Sequence, residues 1–131
     1  MKFSFLNPSP SSDTPDMVVT AWPPLGMLYC AAVLMNEGIE VSILDQAARG
    51  FSLKKTLDWV KKENPDILGI SVLSSGAKEA PRIAELVKAE NPNIMIVFGN
   101  YHATFNAERI LKKYSSVDVI VRGEGEITSL E

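Results

Sequence analysis

Short apolar runs alternate with amphipathic segments along the whole chain, and this alternation limits the folds that are open to it. Five runs have the length and composition expected of buried strands: Lys2–Leu6, Glu40–Leu44, Ile67–Val72, Ile94–Phe98 and Val117–Val121. Four segments between them have helical character: roughly Pro24–Glu37, Leu53–Glu63, Lys78–Glu90 and Ala107–Tyr114. Because strands that alternate with helices form parallel sheets, the sequence predicts an α/β fold with helices on both faces.

Residues at the ends of these segments support the predicted boundaries. In the segment Lys78–Glu90 the apolar residues recur at helical spacing, which is typical of a helix packed on a sheet. Gly38 suits the left-handed residue that ends the first helix. Thr104 or Asn106 is expected to cap the last helix.

Composition excludes several classes of function. A chain of 131 residues suits one domain with a core of its own. The net charge of −3 and the lack of a lysine or arginine run give no reason to expect nucleic-acid binding. No apolar run approaches the roughly 20 residues that span a membrane. The single cysteine, Cys30, excludes an internal disulfide and a multi-cysteine metal site, and it fits the cytoplasm.

The loops that follow the strands carry the residues that could bind a ligand. In a parallel sheet these loops gather at the carboxyl edge, where open α/β sheets bind ligands. Three of the loops are rich in small polar residues: Ser9, Ser11 and Ser12; Ser71, Ser74, Ser75 and Gly76; Gly99 and Asn100. These residues leave room for a polar ligand and offer it hydrogen bonds. They are also ordinary turn residues, so the composition alone leaves both interpretations open.

Familiar nucleotide-binding and catalytic motifs do not occur. The turn after the first strand, residues 7–12, lacks the glycines of a dinucleotide site. Cys30 and His102 do not form a nucleophile and base pair, because Cys30 falls inside a predicted helix. His102 either contacts a ligand or sits in a plain turn, and one histidine makes no metal site. Trp22 either stacks on a planar ligand or covers the core.

Six segments together resemble a known family. They follow in order along the chain: Pro23–Tyr29, Ala31–Leu34, Glu40–Asp45, Pro65–Ser71, Gly99–Thr104 and Val119–Glu126. This ordered set resembles the cobalamin (vitamin B12)-binding domain that precedes the catalytic domain in B12-dependent radical S-adenosylmethionine enzymes.

The resemblance implies a fold and a binding site. The fold is a flavodoxin-like, Rossmann-like sandwich with a five-stranded parallel sheet of order 2-1-3-4-5, and cobalamin lies across its carboxyl edge. Gly99 and Asn100 stand where the family often has two glycines, beside the slot for the nucleotide tail. The cofactor-binding residues that the resemblance implies are Asn7, Ser71, Leu73, Ser74, Ser75, Gly99, Asn100, Tyr101, His102, Arg122, Gly123 and Glu124.

One motif of the wider group of cobalamin domains is missing. Methionine synthase and the mutases carry Asp-x-His-x-x-Gly after the first strand, and its histidine binds cobalt. The loop after the first strand here contains no histidine. The resemblance therefore implies that cobalamin binds without a histidine from that loop on cobalt.

The resemblance also implies a second domain. Radical S-adenosylmethionine chemistry needs three closely spaced cysteines for a 4Fe-4S cluster, and the chain has only Cys30. We therefore expect residues 1–126 to form the cobalamin-binding domain. Residues 127–131 would begin a helix or linker to a carboxyl-terminal radical S-adenosylmethionine domain of the same polypeptide. That absent domain would bind S-adenosylmethionine, the cluster and a small-molecule substrate, as a methyltransferase or cyclase. The alternative is a flavodoxin-like module that binds a partner or another cofactor.

Overall fold

The computed structural model describes residues 1–10 and 23–131, and its centre is a parallel sheet. The strands are β1 (Lys2–Asn7), β2 (Glu40–Asp45), β3 (Ile67–Ser71), β4 (Met95–Gly99) and β5 (Val119–Ile120). Their order is β2-β1-β3-β4-β5, and every neighbouring pair is parallel. This arrangement confirms the predicted fold class and strand order.

Helices connect the strands and cover both faces of the sheet. They are α1 (Leu25–Asn36), α2 (Gln46–Arg49), α3 (Leu53–Glu63), α4 (Glu79–Glu90), α5 (Tyr101–Phe105) and α6 (Ala107–Lys113). Single 3-10 turns occur at Ser74–Gly76 and Thr128–Leu130. The four predicted helices are confirmed with small shifts at their ends. The sequence did not predict α2 and α5, because helices of 4 and 5 residues are too short to show a hydrophobic period.

A separate apolar cluster packs on each face of the sheet. One cluster joins α3, α4 and α6 to fully buried strand residues such as Ile96 and Phe98. The other joins α1 to Phe3 and Phe5 of β1. The rings of Phe3 and Phe5 stack with their centroids 4.5 Å apart. They lie against Gly69, where an added Cβ would be 2.9 Å from Phe3 Cε1.

Two predictions about helix ends have different outcomes. Gly38 has φ +77° after α1, which confirms the predicted left-handed stop. Asn106 stands at the N-cap position of α6, as one of the two predicted alternatives has it, but its side chain makes no capping hydrogen bond. Thr104 Oγ1 instead accepts from the backbone N–H of Gly123 at 3.1 Å. Asn106 Nδ2 donates to the carbonyl of His102 at 2.9 Å.

Some predictions fall outside the described residues. Ser11, Ser12 and Trp22 belong to residues 11–22, which the structure does not describe.

Among the helices that the structure does describe, none has both the length and the apolar character needed to cross a membrane.

Candidate functional site

The residues that the sequence singled out lie at the carboxyl edge of the sheet. The register places Ser71, the last residue of β3, beside Gly99, the last residue of β4. It also places Asn7 of β1 beside Asp45 of β2. Asn7 Nδ2 donates to Asp45 Oδ1 at 3.3 Å, so this pair joins the first two strands where they end.

Asn100 adopts an unusual backbone conformation directly after β4. Its φ of 78° and ψ of 179° belong to a region that is almost restricted to glycine. Its side chain makes two hydrogen bonds that hold the turn. Nδ2 donates to Ser71 Oγ at 2.9 Å, and Oδ1 accepts from the backbone N–H of Tyr101 at 2.7 Å. These bonds offset the backbone strain and fix the direction in which the chain leaves the sheet.

Gly99 borders open space at the end of β4. Its φ does not fall in the left-handed region. An added Cβ would meet no atom of the described residues within 4 Å. Neither the backbone nor the packing of the described residues therefore requires glycine at this position. The missing side chain leaves room beside Ser71, and a ligand could use that room.

The loop after β3 meets the loop after β1. Leu73 is 43% exposed, and Ser74 and Ser75 are exposed in the following turn. A Cβ added at Gly76 would lie 3.4 Å from Pro8 Cγ, which places the two loops in contact. The small residues of this turn thus line the edge between β1 and β3.

The segments after β4 and β5 complete the edge. Tyr101 is 72% exposed, and the backbone N–H of His102 donates to the carbonyl of Val72 at 3.1 Å. Arg122, Gly123 and Glu124 are exposed after β5. The bond from Gly123 to Thr104 links these two segments.

A buried polar pair on the β2 side was not predicted. The backbone N–H of Ser9 donates to Gln46 Oε1 at 3.0 Å, and Gln46 Nε2 donates to the carbonyl of Phe51 at 3.1 Å. Gln46 is fully buried. Ser9 Oγ is also buried, and no described residue provides it with a hydrogen-bond partner. An unpaired buried hydroxyl is costly, so a ligand that reaches it would gain a hydrogen bond. The serine-rich loop was a signal for Ser9, but nothing in the sequence connected it with Gln46.

Among the described residues, metal-binding side chains do not gather at this edge. Across the residues that the structure describes, no group of three or more His, Cys, Asp or Glu side chains could hold a metal ion. The carboxyl edge therefore offers small polar groups and open space, which suit an organic ligand with polar parts.

Comparison with known proteins identifies the family to which this chain belongs. Residues 16–131 match the B12 binding domain family. The chain belongs to this family. The resemblance inferred from the sequence is confirmed, and the B12-binding domain here is homologous to those of B12-dependent radical S-adenosylmethionine methyltransferases and cyclases.

Two curated relatives align over almost the whole B12-binding domain. It is 34% identical over 131 residues to an uncharacterized methyltransferase of Pyrococcus horikoshii, covering 100% of this chain and 28% of that protein. It is 31% identical over 127 residues to an anaerobic magnesium-protoporphyrin IX monomethyl ester cyclase of Rubrivivax gelatinosus, covering 96% of this chain and 23% of that protein. The chain thus spans less than a third of the length of either relative.

A solved structure supports the same architecture. The cobalamin-dependent S-adenosylmethionine radical enzyme OxsB, with aqua-cobalamin and S-adenosylmethionine bound, superposes with a TM-score of 0.80. The alignment covers 98% of this chain and 18% of OxsB at 23% identity. At that identity the likeness shows a shared fold.

Proposed function

We propose that this domain binds cobalamin across the carboxyl edge of its sheet. The observation that carries the proposal is the open space at Gly99, beside the end of β3. Family membership supplies the chemical class of the ligand. The buried hydroxyl of Ser9 at the same edge has no hydrogen-bond partner among the described residues, and this supports a ligand with hydrogen-bonding groups.

The residues fit the parts of the cofactor in different ways. Ser71, Leu73 and Ser74 would line the slot for the nucleotide tail, and Gly99 would let the tail pass close to the backbone. The strained turn at Asn100 holds this opening, because its side chain ties β4 to Ser71. Asn7, Ser75, Tyr101, His102, Arg122, Gly123 and Glu124 would surround the cofactor from the remaining loops. When bound, cobalamin supplies a cobalt centre that can carry a methyl group.

The proposed binding mode does not use a histidine on cobalt. His102 is the chain's one histidine, and it lies on α5, after β4. The backbone N–H of His102 donates to the carbonyl of Val72, so His102 lies beside the proposed slot, on its β4 side. We infer that cobalamin would bind without a histidine from the loop after β1 on cobalt, and we assign no cobalt-ligand role to His102.

The native-length protein is proposed to be a radical S-adenosylmethionine enzyme of the methyltransferase or cyclase type. Two observations support this proposal: the curated relatives are much longer than this chain, and they are a methyltransferase and a cyclase. In this proposal a second domain of the same polypeptide holds the 4Fe-4S cluster and S-adenosylmethionine and acts on a small molecule in the cytoplasm. The present domain holds cobalamin for that reaction.

Cobalamin retention tests the proposed function. The protein at its native length is mixed with hydroxocobalamin, desalted and examined for corrin absorbance. We expect about one retained corrin per chain. No retained absorbance, with intact far-ultraviolet circular dichroism, would instead favour a flavodoxin-like module that binds a partner or a different cofactor. Iron and sulfide analysis of the same sample tests the cluster separately.

A further inference from the structure

A fully buried glutamine lies behind the loop that follows β1, next to the carboxyl edge of the sheet. Gln46 is the first residue of α2, and none of its surface is exposed. Burying an amide is costly unless it is hydrogen-bonded, and an apolar side chain does not carry that cost. The groups that this amide contacts therefore indicate what it contributes to the fold.

The side-chain amide of Gln46 joins two backbone segments. Its Oε1 accepts from the backbone N–H of Ser9 at 3.0 Å, and its Nε2 donates to the carbonyl of Phe51 at 3.1 Å. The backbone N–H of Phe51 also donates to the carbonyl of Gln46 at 3.1 Å. Because an N–H can only donate and a carbonyl can only accept, these partners fix the orientation of the amide. Gln46 is thus braced by Phe51, and from that support it holds Ser9.

The preceding residue, Asp45, holds the same loop at a second point. Its Oδ1 accepts from Asn7 Nδ2 at 3.3 Å, and its side chain also caps the first turn of α2. Asn7 and Ser9 lie on either side of Pro8, which is buried. The end of β2 therefore holds the loop after β1 on both sides of this proline.

The loop after β1 also contacts the turn that lines the proposed slot. A Cβ added at Gly76 would lie 3.4 Å from Pro8 Cγ, so the 3-10 turn Ser74–Gly76 packs directly against the loop. Gly76 is buried at this contact. A continuous set of contacts therefore runs from Gln46 through Ser9 and Pro8 to the turn beside the slot.

We propose that Gln46 is a positioning residue for the cofactor edge. Its amide holds the loop after β1 in the place where Asn7 and the turn Ser74–Gly76 meet cobalamin together. Gln46 is fully buried, so it acts through the loop and not by contact with the cofactor. The inference rests on the proposed function for its ligand, whereas the attachment of the loop is measurable without any ligand.

Cobalamin affinity tests this role against a purely structural one. Gln46→Met keeps the length of the side chain and removes its hydrogen bonds to Ser9 and Phe51. The matched control is Thr56→Val, because Thr56 is also fully buried and its Oγ1 donates to the carbonyl of Ser52 at 3.0 Å, within its own helix. Both variants and the parent, at native length, are titrated with hydroxocobalamin after urea unfolding has measured their stability. We expect Gln46→Met to bind at least about fivefold more weakly than the parent and Thr56→Val to bind within about twofold of it.

Hydrogen exchange measures the attachment of the loop without the cofactor. Because Pro8 and Pro10 have no backbone N–H, Ser9 carries the one amide hydrogen of this Pro-Ser-Pro stretch. Mass spectrometry of a peptide that ends at Pro10 can therefore follow this amide. In the parent it should exchange at least about 100-fold more slowly than an unprotected amide. Gln46→Met should lose at least about tenfold of this protection, and Thr56→Val should keep it.

Three results would overturn the inference: parental affinity in a folded Gln46→Met, an equal weakening in Thr56→Val, or unprotected exchange at Ser9 in the parent. The exchange in the parent decides whether the loop is attached even if Gln46→Met does not fold. If the parent retains no corrin but Gln46→Met loses protection at Ser9, the attachment stands and the proposed ligand fails. If corrin is retained and all three proteins bind and exchange alike, the proposed ligand stands and the positioning role fails.

Discussion

The side-chain amide of Asn100 donates to the hydroxyl of Ser71 at 2.9 Å and joins the ends of β4 and β3. This bond crosses 29 residues of sequence and lies next to Gly99, where the sheet edge is open. It holds the chain in a conformation that asparagine rarely adopts. One amide group thus ties the ends of the two strands together beside the opening.

Replacing Asn100 tests this relationship. Asn100→Ala keeps the strained backbone and removes both side-chain hydrogen bonds, so the free energy of unfolding should fall by about 1–3 kcal/mol. Asn100→Gly removes the same bonds and also the strain, so its loss should be below about 1 kcal/mol. Urea unfolding of the two variants measures the difference. An alanine variant as stable as the glycine variant would show that the conformation is unstrained.

The strand order and the main helices could be predicted from the sequence, because the hydrophobic period and the family resemblance each extend over many residues. The segments α2 and α5 could not, because each completes little more than one turn. The backbone conformation of Asn100 was also hidden, because asparagine tolerates a positive φ better than most residues but the sequence does not show which asparagine adopts one. The buried contact between Ser9 and Gln46, the first residue of α2, joins positions 37 residues apart and leaves no local pattern.

Glycine substitutions test the packing of β3 against β1. Gly69→Ala would place a Cβ within 3.0 Å of both Phe3 and Phe5, so the free energy of unfolding should fall by about 1–3 kcal/mol. The matched control is Gly26→Ala in α1, where an added Cβ meets no described atom within 4 Å. Chemical unfolding should find the control unchanged or stabilised by up to about 1 kcal/mol. Equal stability of the two variants would contradict the packing.

Lys2 forms two ion pairs at the edge of the sheet where the strands begin. These pairs predict that the stability of the fold depends on pH. Lys2 Nζ lies 2.8 Å from Glu63 Oε2 and 3.0 Å from Glu40 Oε1. The hydrogen bond from Lys2 lowers the pKa of Glu63 below its ordinary 4.5, and Glu63, followed by Glu40, raises the pKa of Lys2 above 10.5. These ion pairs therefore stabilise the folded protein at pH values between 4.5 and 10.5. The stabilisation is lost as pH falls through the depressed pKa of Glu63 or rises through the raised pKa of Lys2.

Thermal unfolding of Lys2→Met across pH measures this effect. The variant should melt below the parent at pH 7, and the gap should close as the pH falls below 4.5. Lys112→Met serves as the control, because its pair with Glu108 is 4.0 Å long and exposed. A gap that persists unchanged into acid would mean that Lys2 acts through packing alone.

His102 provides a test of the cobalt environment. Because His102 follows β4 and its backbone is tied to Val72, His102→Ala should leave the absorption spectrum of retained cobalamin unchanged. Loss of a nitrogen ligand from cobalt would shift that spectrum. A clear shift in the variant, at equal retention, would assign His102 to cobalt and refute the proposed binding mode.

The central claim is that a cofactor tail passes through the space beside Gly99, and cobalamin binding by Gly99→Trp tests it most directly. The matched control is Ala89→Trp, an exposed position in the last turn of α4, near the opposite edge of the sheet. Both variants and the parent are titrated with hydroxocobalamin after circular dichroism has confirmed the fold. We predict that the parent and Ala89→Trp bind alike and that Gly99→Trp binds at least about tenfold more weakly, or about 1.4 kcal/mol. Parental affinity in a folded Gly99→Trp would contradict the claim.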